Sequence, residues 1–157
     1  MQKITPFLWF DSQAEEAMNF YVSIFKDAKV NRVSRYGEAG PGTPGTVMSC
    51  EFTLNGTDFF ALNGGPMFKF SPATSFFIRC ETQEEVDHYW NKLGEGGKTN
   101  QCGWLDDKFG LTWQVVPNAL MRYMNDPDKK KAGAVMKAMM QMTKLDIAKL
   151  KEAYEQA

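Results

Sequence analysis

The 157 residues are 43 % hydrophobic, 13 % aromatic and 24 % charged, a mixture that supports one folded domain with a substantial core and excludes a disordered chain. The 18 lysines and arginines face 19 aspartates and glutamates, so a net charge of −1 offers no basic surface for nucleic acid. No apolar run approaches the ~20 residues of a membrane-spanning helix, and the start of the chain lacks signal-peptide features. We therefore expect a cytoplasmic protein with no membrane or nucleic-acid partner.

The first half of the chain predicts strands at residues 4–10, 29–36, 46–54 and 57–62. After the first strand, apolar residues recur at helical spacing from Ala14 to Phe25, behind Asp11 and Ser12 as cap residues. Residues 37–45 are rich in glycine and proline and predict a loop. Asn55-Gly56 predicts a tight hairpin turn.

The second half predicts a strand at 75–80, a helix at 82–93 capped by Thr82, and strands at 101–105 and 111–116. Two further helices are predicted in the tail. The first is opened by Asp126-Pro127, and the second by a capping box of Thr143 and Asp146. Six of the ten methionines fall in residues 121–142, which indicates packing against the parent domain or a second subunit, or docking of a partner.

The chain contains an internal repeat. A shift of 69 residues aligns residues 7–10 with 76–79, Ala17 with Val86 and Ile24 with Leu93, without a gap. Each repeat predicts the order strand–helix–strand–strand–strand. We interpret the repeat as a duplication.

The cysteines and the histidine are interpreted as non-catalytic. Cys50, Cys80 and Cys102 are odd in number and widely spaced, which predicts free thiols in a reducing compartment, with Cys80 buried in its strand. His88, the single histidine, is predicted to be a solvated helix residue, and no second histidine supports a nucleophile pair.

The chain resembles the PhnB-like, or 3-demethylubiquinone-9 3-methyltransferase-like, group of the vicinal-oxygen-chelate superfamily, which includes glyoxalase, bleomycin-resistance and dihydroxybiphenyl dioxygenase proteins. The segments that carry the resemblance are residues 6–11, 14–17, 20–21, 61–65, 102–104, 109–117 and, in the tail, 135–146. The resemblance implies an α+β fold in which tandem βαβββ modules form a curved mixed sheet around a cleft, usually in a homodimer. We expect one glyoxalase-like domain at 1–125, with modules at 1–66 and 72–117, and a helical C-terminal extension at 126–157.

Catalytic members of this superfamily hold a divalent metal with four side chains, typically two histidines and two glutamates. The matching positions here are Pro6, Ser75, Gln114 and either Ala61 or Asn63. Proline and alanine side chains cannot ligate a metal, and amide or hydroxyl oxygens are weak ligands. We therefore predict no metal and no cofactor.

Residues 40–45 satisfy the pattern G-x-G-x-x-G, which in other proteins cradles a dinucleotide or S-adenosylmethionine. Such a loop works through backbone N–H groups and a following helix, whereas this one holds two prolines and leads into a predicted strand. We predict a mobile hairpin or lid loop here.

The strand period of two predicts which side chains face the cleft of the second module. Ser75, Phe77 and Arg79 on one strand, and Thr112, Gln114 and Val116 on another, should point away from the helix. The predicted ligand-binding residues are Ser75, Phe77, Arg79, Trp104, Thr112 and Gln114. An alternative is a cleft filled by its own aromatic side chains.

These observations predict a metal-free protein that binds a small, partly apolar molecule. One alternative is a divalent-metal-dependent lyase, dioxygenase or isomerase of the same superfamily, and another is an interaction protein whose methionine-rich tail docks a partner. A true methyltransferase is disfavoured. The residues identify neither the ligand nor a catalytic group, and they leave open whether modules pair within a chain or between subunits.

Overall fold

The computed structural model describes residues 2–157, which form two compact units, one ending at Phe70 and one spanning Ser71–Ala157. We call them unit 1 and unit 2. None of the helices within residues 2–157 is long and apolar enough to cross a membrane.

Unit 1 is a four-stranded mixed sheet covered on one face by a helix. Its elements are β1 (Phe7–Phe10), α1 (Ala14–Ile24), β2 (Ala28–Arg35), β3 (Val47–Leu54) and β4 (Thr57–Asn63). The strand order is β1-β4-β3-β2, with β1 parallel to β4 and the other pairs antiparallel. The helix packs through Tyr21, whose ring centroid lies 6.3 Å from that of Phe52, and Phe52 stacks on Phe59. All three rings are buried, so they form the core beneath α1.

Unit 2 repeats this topology and adds three helices. Its elements are β5 (Ser75–Cys80), α2 (Gln83–Gly94), β6 (Lys98–Thr99), β7 (Trp104–Asp106), β8 (Thr112–Pro117), α3 (Asn118–Met124), α4 (Lys129–Met139) and α5 (Ile147–Gln156). The strand order β5-β8-β7-β6 matches that of unit 1, with β5 parallel to β8. The predicted order strand–helix–strand–strand–strand is therefore confirmed in both units. The sequence analysis missed β6, whose two residues are too short to show a period, and α3.

The two units are related by a one-residue offset that the ungapped alignment missed. Leu8 pairs with Ala61 in unit 1, and Ile78 pairs with Val115 in unit 2, and all four side chains are buried beneath the helix of their own unit. Leu8 and Ile78 are 70 residues apart, whereas the helices begin 69 residues apart. The reason is that three residues connect β1 to α1 and only two connect β5 to α2.

The caps of the first two helices differ in origin. Thr82 caps α2 as predicted, because its Oγ1 accepts a hydrogen bond of 3.1 Å from the Glu85 amide. The prediction of Asp11 and Ser12 as caps is wrong, since no side chain of the N-cap residue caps α1. Instead Asn63 Oδ1, at the end of β4, accepts from the Ala14 amide at 2.8 Å.

The tail helices also begin later than predicted. Asp128, not Asp126, caps α4 and accepts from the Lys130 amide at 3.0 Å. Asp146, not Thr143, caps α5. In both cases the chain offers two candidate cap residues a few positions apart, and only the second has the required geometry.

The tail helices pack on the end of β8 and belong to the core of unit 2. This cluster consists of Val116, Leu120, Val135, Leu145 and Leu150, with Tyr123, Met124, Met139, Met142 and Tyr154 partly buried around it. On the predicted face of α4, Val135 is fully buried, whereas Met136 and Met140 are exposed. Part of the methionine-rich surface therefore remains outside the packing.

Candidate functional site

The predicted ligand-binding residues lie together on the face of the unit 2 sheet that points away from α2, which we call the distal face. Backbone register places Ser75 opposite Thr112, and places Gln114 opposite both Phe77 and Trp104. Arg79 lies two residues beyond Phe77 and shares its face. Three strands thus bring all six residues to one side of the sheet.

Hydrogen bonds organise the polar part of the distal face. Gln114 Nε2 donates to Ser75 Oγ at 3.0 Å, so the two side chains form a pair across β5 and β8. Thr112 is buried, and its hydroxyl donates to Asp106 Oδ1 at 2.6 Å. Thr112 therefore holds the sheet together, whereas the half-buried Ser75–Gln114 pair is available at the surface.

The apolar part of the distal face consists of Phe77 and Trp104. Phe77 is exposed, and the Arg79 guanidinium carbon lies 5.6 Å from its ring centroid, which is a cation–π contact. Val116, also predicted to face the cleft, is instead buried against the tail helices. The tail thus limits the face at that end of β8.

A cavity of about 580 Å³ adjoins the distal face. It includes Trp104 and Thr112 but not the other four predicted residues, and it adds residues that the sequence analysis missed: Pro72, Thr99, Asn100, Gln101, Cys102, Asp106 and Thr143. The amides of Cys102 and Gly103 donate to the carbonyls of Met142 and Thr143, both at 2.8 Å. These two bonds bring the tail to the wall of the cavity. The segment Cys102-Gly103-Trp104 was the available signal.

A larger cavity, of about 880 Å³, lies in unit 1 and was not predicted. It is formed where β1 and β4 end, where β2 runs into the loop 36–46, and where α1 begins. Its side-chain walls are Trp9, Asp11, Ser12, Glu15, Arg35, Tyr36, Val47 and Leu62. Because its walls come from four separate segments, only the glycine-rich loop could have indicated it from sequence.

The pattern G-x-G-x-x-G in this loop has a packing explanation. A Cβ added to Gly40 would lie 2.9 Å from Cδ1 of the Tyr36 ring, and one added to Gly42 would overlap the same ring. The Tyr36 hydroxyl donates to the Asn63 carbonyl at 2.7 Å, so the loop closes over an anchored tyrosine. The prediction that a strand rather than a helix follows the loop is confirmed by β3.

The buried thiols are unreactive groups. Burial raises the pKa of Cys50 to about 11 and that of Cys80 to about 12, so both remain protonated near neutral pH. Cys102 is half-buried, and all three cysteines are free. His88 lies on α2, half-buried, with its ring centroid 5.1 Å from that of Tyr89.

The residues at the superfamily's metal positions do not fit a divalent metal. Ser75 and Gln114 bond to each other, and Asn63 uses both side-chain atoms on the Ala14 amide and the Val47 carbonyl. Ala61 was wrongly aligned with Gln114. It is buried beneath α1, and the one-residue offset makes Phe60 the counterpart. Within residues 2–157, no group of three or more His, Cys, Asp or Glu side chains could hold a metal ion.

Comparison with known proteins identifies the family. The family described as 3-demethylubiquinone-9 3-methyltransferase matches residues 2–116. A PhnB protein from Bacillus cereus with the same description is 43 % identical, with a TM-score of 0.69 over 74 % of this chain and 99 % of that chain. Helices α3–α5 lie beyond the residues that the family profile matches, so the resemblance of the tail stays a prediction.

More distant structures support the fold alone. A protein from Pseudomonas aeruginosa is 19 % identical, with a TM-score of 0.64 over 74 % of this chain and 98 % of that one. The fosfomycin resistance protein FosX from Mesorhizobium loti is 12 % identical, with a TM-score of 0.50 over 72 % and 90 %. No curated protein matches the sequence significantly. The chain belongs to the 3-demethylubiquinone-9 3-methyltransferase (PhnB-like) family and has the glyoxalase-like α+β fold of the vicinal-oxygen-chelate superfamily.

Proposed function

We propose that this protein binds a small, partly apolar molecule on the distal face of unit 2, without a resident metal. The observation that carries the proposal is the convergence of side chains from β5, β7 and β8 on one side of the sheet, beside a cavity. Apolar walls with a few oriented polar groups are typical of small-molecule sites.

The Ser75–Gln114 pair supplies the polar recognition in this proposal. Gln114 Nε2 donates to Ser75 Oγ, so the remaining capacity is the Oε1 acceptor of Gln114 and the hydroxyl proton of Ser75. Neither has another partner within residues 2–157. A ligand with one donor and one acceptor would complete both, while Phe77 and Trp104 would contact its apolar part.

The family description names a methyltransferase, but the residues of this chain support binding rather than methyl transfer. The only loop with the glycine pattern of a cofactor site leads into β3 instead of a helix, and its glycines pack against Tyr36. The donor set at the superfamily's metal positions likewise gives no basis for a metal-dependent reaction.

Binding can be tested with benzamide, whose ring and amide match the two parts of the site, against toluene, which lacks the amide. In ¹⁵N-resolved NMR titrations we expect benzamide, and not toluene, to shift amide signals of β5 and β8. Gln114→Leu should abolish the benzamide shifts. Gln156→Leu is the matched control, because Gln156 is exposed on α5 and bonds only to Glu152. Shifts confined to other surfaces would contradict the site.

The metal-free part of the proposal needs its own measurement. Purified protein is expected to contain no stoichiometric metal and to bind none on titration with Zn²⁺, Ni²⁺ or Mn²⁺. Native mass spectrometry of the same preparation would identify a co-purified ligand. A stoichiometric bound metal would overturn this part and favour the divalent-metal enzyme.

A further inference from the structure

The cavity of unit 1 has aromatic walls and an unbalanced charge, and it lies in a different unit from the distal face. From these features we infer a second binding site, for a small organic ammonium ion with an apolar body. The site is independent of the proposed function, because it uses no residue of unit 2.

The aromatic walls are held in place before any ligand arrives. The indole Nε1 of Trp9 donates to the Gly65 carbonyl at 2.9 Å, and the Phe68 ring packs edge-on at 5.0 Å. Gly64 packs so closely beneath the indole that an added Cβ would overlap it. Tyr36, on the opposite strand of the wall, is fixed through its hydroxyl to Asn63. Fixed aromatic faces of this kind attract cations.

The charged groups of the cavity leave a net negative charge. Arg35 is the one cation among the lining residues, against the carboxylates of Asp11 and Glu15. Its Nη2 lies 3.9 Å from Glu15 Oε2, and its Nη1 donates to the Gly45 carbonyl at 3.2 Å. Asp11 forms no hydrogen bond or ion pair with any residue in the described range 2–157. Arg35 therefore balances one carboxylate and leaves the other for a ligand cation.

The remaining wall determines what kind of cation fits. Val47 and Leu62 line the cavity between the aromatic rings and the loop, and they favour a carbon body over a hydrated ion. An anion is disfavoured, because the single guanidinium is already engaged on both of its terminal nitrogens. The combination of carboxylate, aromatic face and apolar wall selects an amine that carries a hydrocarbon group.

Benzylammonium is a suitable probe, with benzyl alcohol and phenylacetate as neutral and anionic comparators of the same shape. We expect benzylammonium alone to shift amide signals around the cavity of unit 1. Asp11→Asn and Glu15→Gln should each weaken its binding by about two- to fivefold, the range of an exposed charge pair. Arg35→Gln should strengthen its binding, because that variant frees Glu15. Glu16→Gln is the control, since Glu16 is the next residue on α1, is exposed and does not line the cavity.

Three results would overturn this inference: equal binding of benzyl alcohol, no effect of Asp11→Asn combined with Glu15→Gln, or weaker binding in Arg35→Gln. Circular dichroism of each variant separates a lost site from a lost fold. Gln114→Leu should leave benzylammonium binding unchanged. The failure of one site is thereby distinguishable from the failure of the other.

Discussion

The indole Nε1 of Trp113 donates a hydrogen bond of 2.9 Å to Oδ2 of Asp107, and both residues are buried. The other carboxylate oxygen of Asp107 accepts from the amides of Phe109 and Leu111, at 2.8 and 3.1 Å. One buried carboxylate thus joins the turn between β7 and β8 to the core beneath α2. Its removal would leave three buried or half-buried donors without this acceptor.

Asp107→Ala is expected to lower the free energy of unfolding by about 2–4 kcal/mol, because unsatisfied buried donors each cost about 1–3 kcal/mol. Urea unfolding followed by tryptophan fluorescence measures the change. Asp58→Ala, at an exposed position in β4, is the control and should cost less than about 1 kcal/mol. Equal losses in the two variants would contradict this role for Asp107.

Gly103→Ala is expected to destabilise unit 2, whereas Gly133→Ala should not. Gly103 has a φ of +83°, and an added Cβ would lie 2.8 Å from the Val115 carbonyl oxygen and 3.0 Å from Leu145 Cδ1. Strain and overlap together should cost about 2–4 kcal/mol. Gly133 lies on an exposed part of α4 with no atom near its added Cβ, so alanine there should add about 0.5–1 kcal/mol of stability. Thermal unfolding of both variants checks the opposite signs.

Sequence periodicity predicted the faces of unit 2 well and failed to phase unit 1. In β5, buried Ile78 and Cys80 alternate with exposed Phe77 and Arg79, so the pattern itself identifies the two faces. In β1 the residues Phe7–Phe10 are all aromatic or aliphatic, so no alternation shows which side chains lie beneath α1. The one-residue offset and the misplacement of Ala61 follow from that ambiguity.

The unit 1 cavity could not be predicted, because strand ends that are distant in sequence create it. Glu15 and Arg35 meet only when α1 is placed beside the end of β2, which depends on tertiary packing. The caps failed for a local reason. Residues 126–128 contain two aspartates around a proline, and the sequence alone does not show which one begins the helix.

The tail of unit 2 should lose stability at both acidic and alkaline pH through one contact. The Tyr154 hydroxyl donates to Asp126 Oδ2 at 2.5 Å, which lowers the pKa of Asp126 and raises the pKa of Tyr154 from their ordinary values. A lowered carboxyl pKa stabilises the fold above the unfolded value of about 3.9, and this contribution is lost as pH falls through the folded pKa. A raised tyrosine pKa stabilises the fold below about 10, and this contribution is lost as pH rises further.

Tyr154→Phe removes that hydroxyl while keeping the ring that stacks on Tyr123 at 4.6 Å. The stability of the variant, measured by urea unfolding between pH 3 and 11, should therefore depend less on pH than that of the parent protein at both extremes. Lys151→Met serves as a control, because its ion pair with Glu155 is exposed on the same helix. Identical pH profiles for Tyr154→Phe and the parent protein would exclude this role of the contact.

A homodimer is the expected assembly, and the exposed aromatic residues of unit 1 supply the physical reason. Phe7 and Phe68 remain 58 % exposed, and Met67 is 77 % exposed, which is unusual for large apolar side chains near one another in sequence or space. A two-fold interface would bury the same patch on both subunits at once. Light scattering should give twice the chain mass of 17.8 kDa, and Phe7→Asp combined with Phe68→Asp should shift the protein toward that single-chain mass. A 17.8 kDa particle of the parent protein at micromolar concentration would refute the dimer and leave both binding sites to be judged on their own titrations.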